Sequence, residues 1–143
     1  MANYALVEKA VWNYYRNGPK NRTIHRFHDT KDANRGRFQN PYSKKVILDG
    51  NPSDYIVCDK GEMFFLEVKS TIDRVGVKSS LLEEQKKERT LILAAGGNYK
   101  YMIYSITYNE WYLIPASVFV EKPTRTWKEL LNYRITGLPE IYI

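Results

Sequence analysis

Residues 54–69 read D-YIVCDKGEMFFL-E-V-K, and no other stretch restricts the fold as much. The runs 55–58 and 63–68 are short and β-rich, and Asp59-Lys60-Gly61 between them is a turn signal, so a β-hairpin is predicted. Ile56, Met63 and Phe65 alternate with Tyr55, Val57, Phe64, Leu66 and Val68, which leaves both faces apolar. Such a strand belongs inside a sheet covered by helices, not at a solvated edge. With Lys60-Gly61 as a two-residue loop, Asp59 faces Glu62 and Asp54 comes opposite Glu67, β-carbons about 4.5–5.5 Å apart. A three-residue loop bulged at Gly61 would make that contact diagonal. Period-2 alternation places Lys69 on the Glu67 face. Two acids and a lysine therefore converge at the end of an otherwise apolar hairpin.

Carboxylates held that close repel, which raises a pKa or recruits a cation, and a hard oxygen cluster suits Mg²⁺, with Mn²⁺ as the second candidate. The competing reading is a structural salt bridge between Lys69 and either acid.

The rest of the chain supplies the frame. Leu6, Val7, Ala10, Val11, Tyr14 and Tyr15 recur at helical spacing over residues 4–17, and Gly18-Pro19 stops them. Residues 23–27 are a possible strand, and 32–37 an exposed turn. Ser80-x-x-Glu83 is a capping-box pattern that opens a helix predicted to run to Ala95 and close at Gly96. Gln85 falls on its inward stripe, either as an ordinary boundary residue or as a partner for groups that need hydrogen bonds, such as metal-bound water or Lys69. Residues 100–108 and 111–115 form a further β-rich pair around Asn109-Glu110, and Thr126-x-x-Glu129 predicts a terminal amphipathic helix. The order α-β-β-β-α-β-β-α gives an α/β fold, a mixed sheet flanked by helices. At 143 residues, 43% of them apolar, the chain is sized for one domain. Its core is expected at about 4–119, with a helical extension at 124–143.

Charge points to an anionic partner. The net charge is +6, and the positive residues cluster at Arg16, Lys20, Arg22, Arg26, Lys31, Arg35, Arg37, Lys44 and Lys45, against only Asp29 and Asp32 in that stretch. Arg22, Arg26, Arg35, Arg37, Lys44 and Lys45 are the expected DNA phosphate contacts, and binding through them should weaken steeply with salt. Phe38 and Tyr42 are either stacking groups for an unpaired base or a hydrophobic tether. His25 and His28 with the lone Cys58 cannot assemble four closed zinc ligands. Cys58 is expected in the core, and a single cysteine suits a reducing interior. The N-terminus has no signal pattern and no stretch approaches membrane-spanning length, so a cytoplasmic location is expected, the host cytoplasm for a viral protein.

Asn51-Pro52-Ser53-Asp54 followed by Glu67-Val68-Lys69 resembles the signature of the PD-(D/E)xK nuclease superfamily, with Ser53 standing directly before the acid where the literal motif has proline. The order of Glu8 in a first helix, a basic stretch, this hairpin, a helix with Gln85, Gly96-Gly97 and a Tyr-rich strand ending at Tyr112-Leu113-Ile114-Pro115 is similar to RecU-type Holliday junction resolvases of bacteria and phages, and more distantly to archaeal ones. The similarity covers residues 6–119. It implies a restriction-endonuclease-like fold in which Asp54, Glu67 and the Val68 carbonyl hold a divalent metal. Glu8, otherwise a residue of a solvated helix face, reaches the metal site in that picture. Lys69 would orient the attacking water or stabilise developing charge, and Gln85 would position Lys69 or water. The implied activity is paired cleavage of four-way DNA junctions by a homodimer. A restriction- or repair-type endonuclease on duplex DNA is the alternative, and a non-catalytic DNA-binding module the second.

Overall fold

The computed structural model describes residues 4–27 and 51–141. In chain order these form α1 (Tyr4–Arg16), β1 (Arg22–Arg26), β2 (Tyr55–Asp59), β3 (Glu62–Thr71), β4 (Gly76–Val77), a 3₁₀ turn (Ser79–Leu82) and α2 (Lys86–Ala94). Then come β5 (Tyr99–Ser105), β6 (Glu110–Pro115), α3 (Ser117–Glu121), β7 (Arg125–Thr126), a 3₁₀ turn (Leu131–Tyr133) and β8 (Arg134–Ile135). The main sheet has the order β1-β2-β3-β5-β6-β8, and β4 and β7 form a separate ribbon. β3 and β5 run parallel, joined by a crossover through α2, while the other neighbours in the sheet are antiparallel. The fold is α/β, a mixed six-stranded sheet flanked by helices.

The hairpin has the predicted register. Asp59 pairs with Glu62 and Tyr55 with Leu66. Lys60 and Gly61 both take positive φ, 51° and 84°, the turn that matches the twist of paired strands. A Cβ at Gly61 would meet nothing within 4 Å, so glycine is favoured there by backbone conformation and not by space.

Both faces of β3 are covered. Leu66 and Val68 join Val57, Phe64 and Ile24 against Val7, Val11 and Tyr15 of α1. On the other face Tyr99, Tyr101, Ile103, Tyr112 and Ile114 pack with Leu82, Phe119, Trp127 and Leu130. Glu67 points to that second face, among aromatic rings. Cys58, by contrast, is half-buried and not a core residue; its register partner, Met63, is exposed.

Two helices differ from expectation. The predicted helix from Ser80 to Ala95 is broken: the chain makes a 3₁₀ turn, passes through Gln85 with φ 61° and ψ 20°, and only then begins α2. Leu82 enters the second core while Gln85 turns to the end of the sheet, two demands that the kinked path meets. The predicted C-terminal helix does not form. Its capping box does, since Thr126 N–H donates to Glu129 Oε1 at 3.2 Å and Glu129 N–H to Thr126 Oγ1 at 3.2 Å. Trp127 is then captured by tertiary contacts, its ring stacked on Tyr112 at 4.9 Å and its Nε1–H donating to Asp73 O at 2.9 Å. The chain continues as β8, which pairs with β6 through Trp111↔Ile135 and Tyr112↔Arg134.

Candidate active site

Asp54 immediately precedes β2, and its loop is tied from several sides. Ser53, 1% exposed, donates from Oγ to Tyr55 O at 2.6 Å. Tyr99 OH donates to Pro52 O at 2.6 Å, and Phe27 N–H to Asp54 O at 3.1 Å. One step outward from the Tyr55↔Leu66 pair, the register sets Asp54 against Glu67. Because β2 has ended there, the Val68 backbone finds side chains instead of a strand. Its N–H donates to Asp54 Oδ2 at 3.1 Å, and its carbonyl accepts from Tyr4 OH at 2.6 Å.

Glu67 is only 2% exposed. Burial, with the Asp54 charge second, pushes its carboxyl up to about 8, although Lys69 and the Asp54 backbone N–H pull the other way. Burial also raises Asp54, opposed by the Val68 N–H and by Lys69. Lys69 Nζ lies 3.8 Å from Glu67 Oε2 but nearer, at 3.2 Å, to Oε2 of the exposed Glu84. Among the described residues, the cation paired with these acids is thus shared with a third carboxylate, which leaves the acids short of positive charge there.

Gln85 completes the pocket. With its amide nitrogen turned inward it donates to Glu67 Oε1 at 2.6 Å and to Pro52 O at 3.2 Å. The left-handed backbone at Gln85 is costly for a residue other than glycine, and it points this amide at Glu67. Arg89 braces the same bend by donating to Leu82 O at 3.1 Å and to the Tyr101 hydroxyl.

The sheet thus brings Asp54, Glu67, the Val68 carbonyl, Lys69 and Gln85 together. Glu8 does not join them. Its Oε1 accepts from Tyr55 OH at 3.1 Å, on the α1 face of the sheet, with the Tyr4 phenol between it and the acids. Tyr4 feels all three, since burial first and then the charges of Asp54, Glu8 and Glu67 raise its hydroxyl. Among the described residues no three His, Cys, Asp or Glu side chains group closely enough to hold an ion. The donor set available to a metal is therefore Asp54, Glu67 and the second lone pair of the Val68 carbonyl. These are hard oxygens in a desolvated, under-compensated pocket, and they fit Mg²⁺ or Mn²⁺.

Of the expected DNA contacts, Arg26 is exposed at the end of β1. Arg22 belongs to the fold instead, its guanidinium lying 3.9 Å from the Tyr14 ring centroid and covering the end of α1. Arg35, Arg37, Lys44 and Lys45 lie outside the described residues, as do Phe38, Tyr42 and His28. Sequence reasoning missed Tyr4, Glu84 and Tyr99. Glu84 carried no signal, being one of two adjacent acids in a predicted helix, and Tyr4 carried one only as the first aromatic of the α1 stripe.

No protein-family model matches the chain, and no curated protein matches it. Among solved structures it is similar to Hjc, a Holliday junction resolvase of the archaeal hyperthermophile Archaeoglobus fulgidus, at 13% identity and a TM-score of 0.43, over 90% of this chain and 85% of that one. No helix of the described residues is long and apolar enough to cross a membrane.

Proposed function

We propose that the protein is a metal-dependent DNA endonuclease that cuts branched DNA, with four-way junctions as the leading substrate. The observation that carries this reading is the buried Glu67 carboxylate beside the half-buried Asp54, whose backbone N–H supports it and whose Oδ2 accepts from the Val68 N–H, with Lys69 Nζ 3.8 Å from Glu67. The element order α1-β1-β2-β3-β4-α2-β5 places Asp54 directly before β2, Glu67 on the neighbouring β3 and Lys69 two residues further along β3, as the resemblance to PD-(D/E)xK nucleases implies.

Asp54, Glu67 and the Val68 carbonyl would hold Mg²⁺ or Mn²⁺. The bound ion would supply charge relief at the scissile phosphate and a more acidic water. The protein's own groups do the rest. Gln85 fixes Glu67 through Oε1, and the Asp54 backbone N–H also supports this carboxylate. Tyr4 fixes the Val68 carbonyl. Lys69, paired with the exposed Glu84 at 3.2 Å, orients the attacking water or meets the charge that develops on the phosphate. Arg26 and the basic stretch before Asp54 hold the backbone. Two symmetric cuts need two sites, so a two-fold homodimer is part of the proposal.

The test is cleavage of a labelled four-way junction and of linear duplexes of the same sequence, with and without Mg²⁺. Paired, opposed nicks confined to the junction support this reading. Preference for linear duplex moves it to a restriction- or repair-type enzyme, and salt-sensitive binding without nicks to a non-catalytic module.

A further inference from the structure

Beside the acids, on the α1 face, lies an open cleft of about 440 Å³ lined by Ala5, Glu8, Lys9, Trp12, Arg26 and Tyr55. That volume is in the range of small-ligand sites, roughly 300–1,000 Å³. Its wall is the half-buried indole of Trp12, 6.4 Å from the Tyr55 ring and with the Arg16 guanidinium 4.8 Å from its centroid. The Glu8 carboxylate is anchored by Tyr55 OH at 3.1 Å, and the cations Lys9 and Arg26 are exposed around it. Tyr55 follows Asp54 directly, and Tyr4, one turn before Glu8, bonds the Val68 carbonyl, so cleft and acids share a wall. An aromatic face, an anchored acceptor and flanking cations match a ligand with a flat ring, a hydrogen-bond-donating edge and phosphates on either side.

We propose that this cleft receives one unpaired nucleotide adjacent to the cut, its base stacked on Trp12 and an exocyclic amino group donating to Glu8, with Lys9 and Arg26 on the flanking phosphates. The inference rests on the nuclease reading and deepens it: the substrate has a base free to leave the stack next to the scissile phosphate, as a branch point does. Glu8 then reads the base and is not a metal ligand. Bases with an exocyclic amino group, cytosine, adenine and guanine, are favoured over thymine, because a carboxylate can only accept and the one donor of thymine, N3–H, lies between two carbonyl oxygens that would repel it.

The experiment is fluorescence titration without divalent metal, so that nothing is cut. The probes are single-stranded and branched oligonucleotides with 2-aminopurine at the position next to the cut, plus versions with cytosine, thymine or an abasic site there. The wild-type protein should quench 2-aminopurine and bind the abasic probe about tenfold more weakly. Trp12→Ala should lose the quenching and about tenfold in affinity, with Trp12→Phe retaining part of both. Glu8→Gln should bind cytosine and thymine probes alike, while its Mn²⁺ binding equals that of the wild type. Undiminished binding of the abasic probe, or loss of the Mn²⁺ site in Glu8→Gln, would overturn the proposal. Mg²⁺-dependent nicks without quenching would sink the cleft alone, and quenching without nicks would sink the nuclease reading alone.

Discussion

The β2–β3 hairpin and the bend between Leu82 and Lys86 deliver the two halves of one pocket by opposite means. The hairpin carries Asp54, Glu67 and Lys69 on a register set by a two-residue turn and by apolar side chains on both faces. Its geometry is local, and a slip by one residue would swap the two faces of the strand and turn Glu67 into the core beneath α1. The bend carries Glu84 and Gln85 on a backbone that no local preference favours, and contacts far away in sequence hold it: Gln85 on Pro52 and Glu67, Arg89 on Tyr101. The two acids and Lys69 thus ride on the hairpin, and Glu84 and Gln85, which hold Lys69 and Glu67, ride on the strained bend.

The largest effect that would break this contrast concerns Lys69. Lys69→Ala should lower cleavage about a hundred- to thousandfold, measured in single-turnover reactions, while Mn²⁺ binding persists. Equal losses of cleavage and metal affinity would make Lys69 a prop for the acids and nothing more.

Next in size is a stability effect on the hairpin side. The carboxyl of Glu67 is raised to about 8 by burial and by Asp54, so between the ordinary carboxylate range and pH 8 the folded chain holds a proton that the unfolded chain has lost. The metal-free protein should therefore lose stability as pH rises through that window. Glu67→Gln should flatten the slope and be more stable near pH 8 by on the order of a few kcal/mol. Urea unfolding at pH 5.5 and pH 8 measures it, and parallel slopes for the two proteins would refute the assigned shift.

The bend can be dissected with Gln85→Gly, which keeps the left-handed backbone and removes only the amide. Metal affinity should fall about 10–100-fold with thermal stability little changed. A large drop in Tm with intact affinity would reverse the roles of backbone and side chain. The smallest effect is at the turn: Lys60→Gly should stabilise the hairpin by about 0.5 kcal/mol, visible as a modest rise in the denaturation midpoint with activity unchanged.

The same contrast explains what was legible in the sequence. The hairpin register, the pairing of Asp54 with Glu67 and the Lys69 side of β3 follow from period-2 alternation around Lys60-Gly61, which is local information. So does α1, from its apolar stripe up to Gly18. Gln85 stands out in the sequence as a polar residue on an inward stripe, but no local signal marks the break in the helix around it, because Pro52 and Glu67 impose it from outside. Thr126 and Glu129 form their capping box, yet the Trp127 contacts with Tyr112 and Asp73 prevail over the helix it would start. Glu8 stands one position off the apolar stripe, where helical spacing suggests a solvated face, yet it meets the sheet through Tyr55, a partner that helical spacing does not reveal.

The most direct test of the account is calorimetric titration of Mn²⁺ into the wild-type protein, Asp54→Asn and Glu67→Gln, each shown to be folded. The account predicts saturable binding to the wild type that tightens as pH rises through the range in which Glu67 ionises, and that vanishes in both variants. Wild-type protein that takes up no Mn²⁺, or an Asp54→Asn protein that binds it as the wild type does, would contradict it.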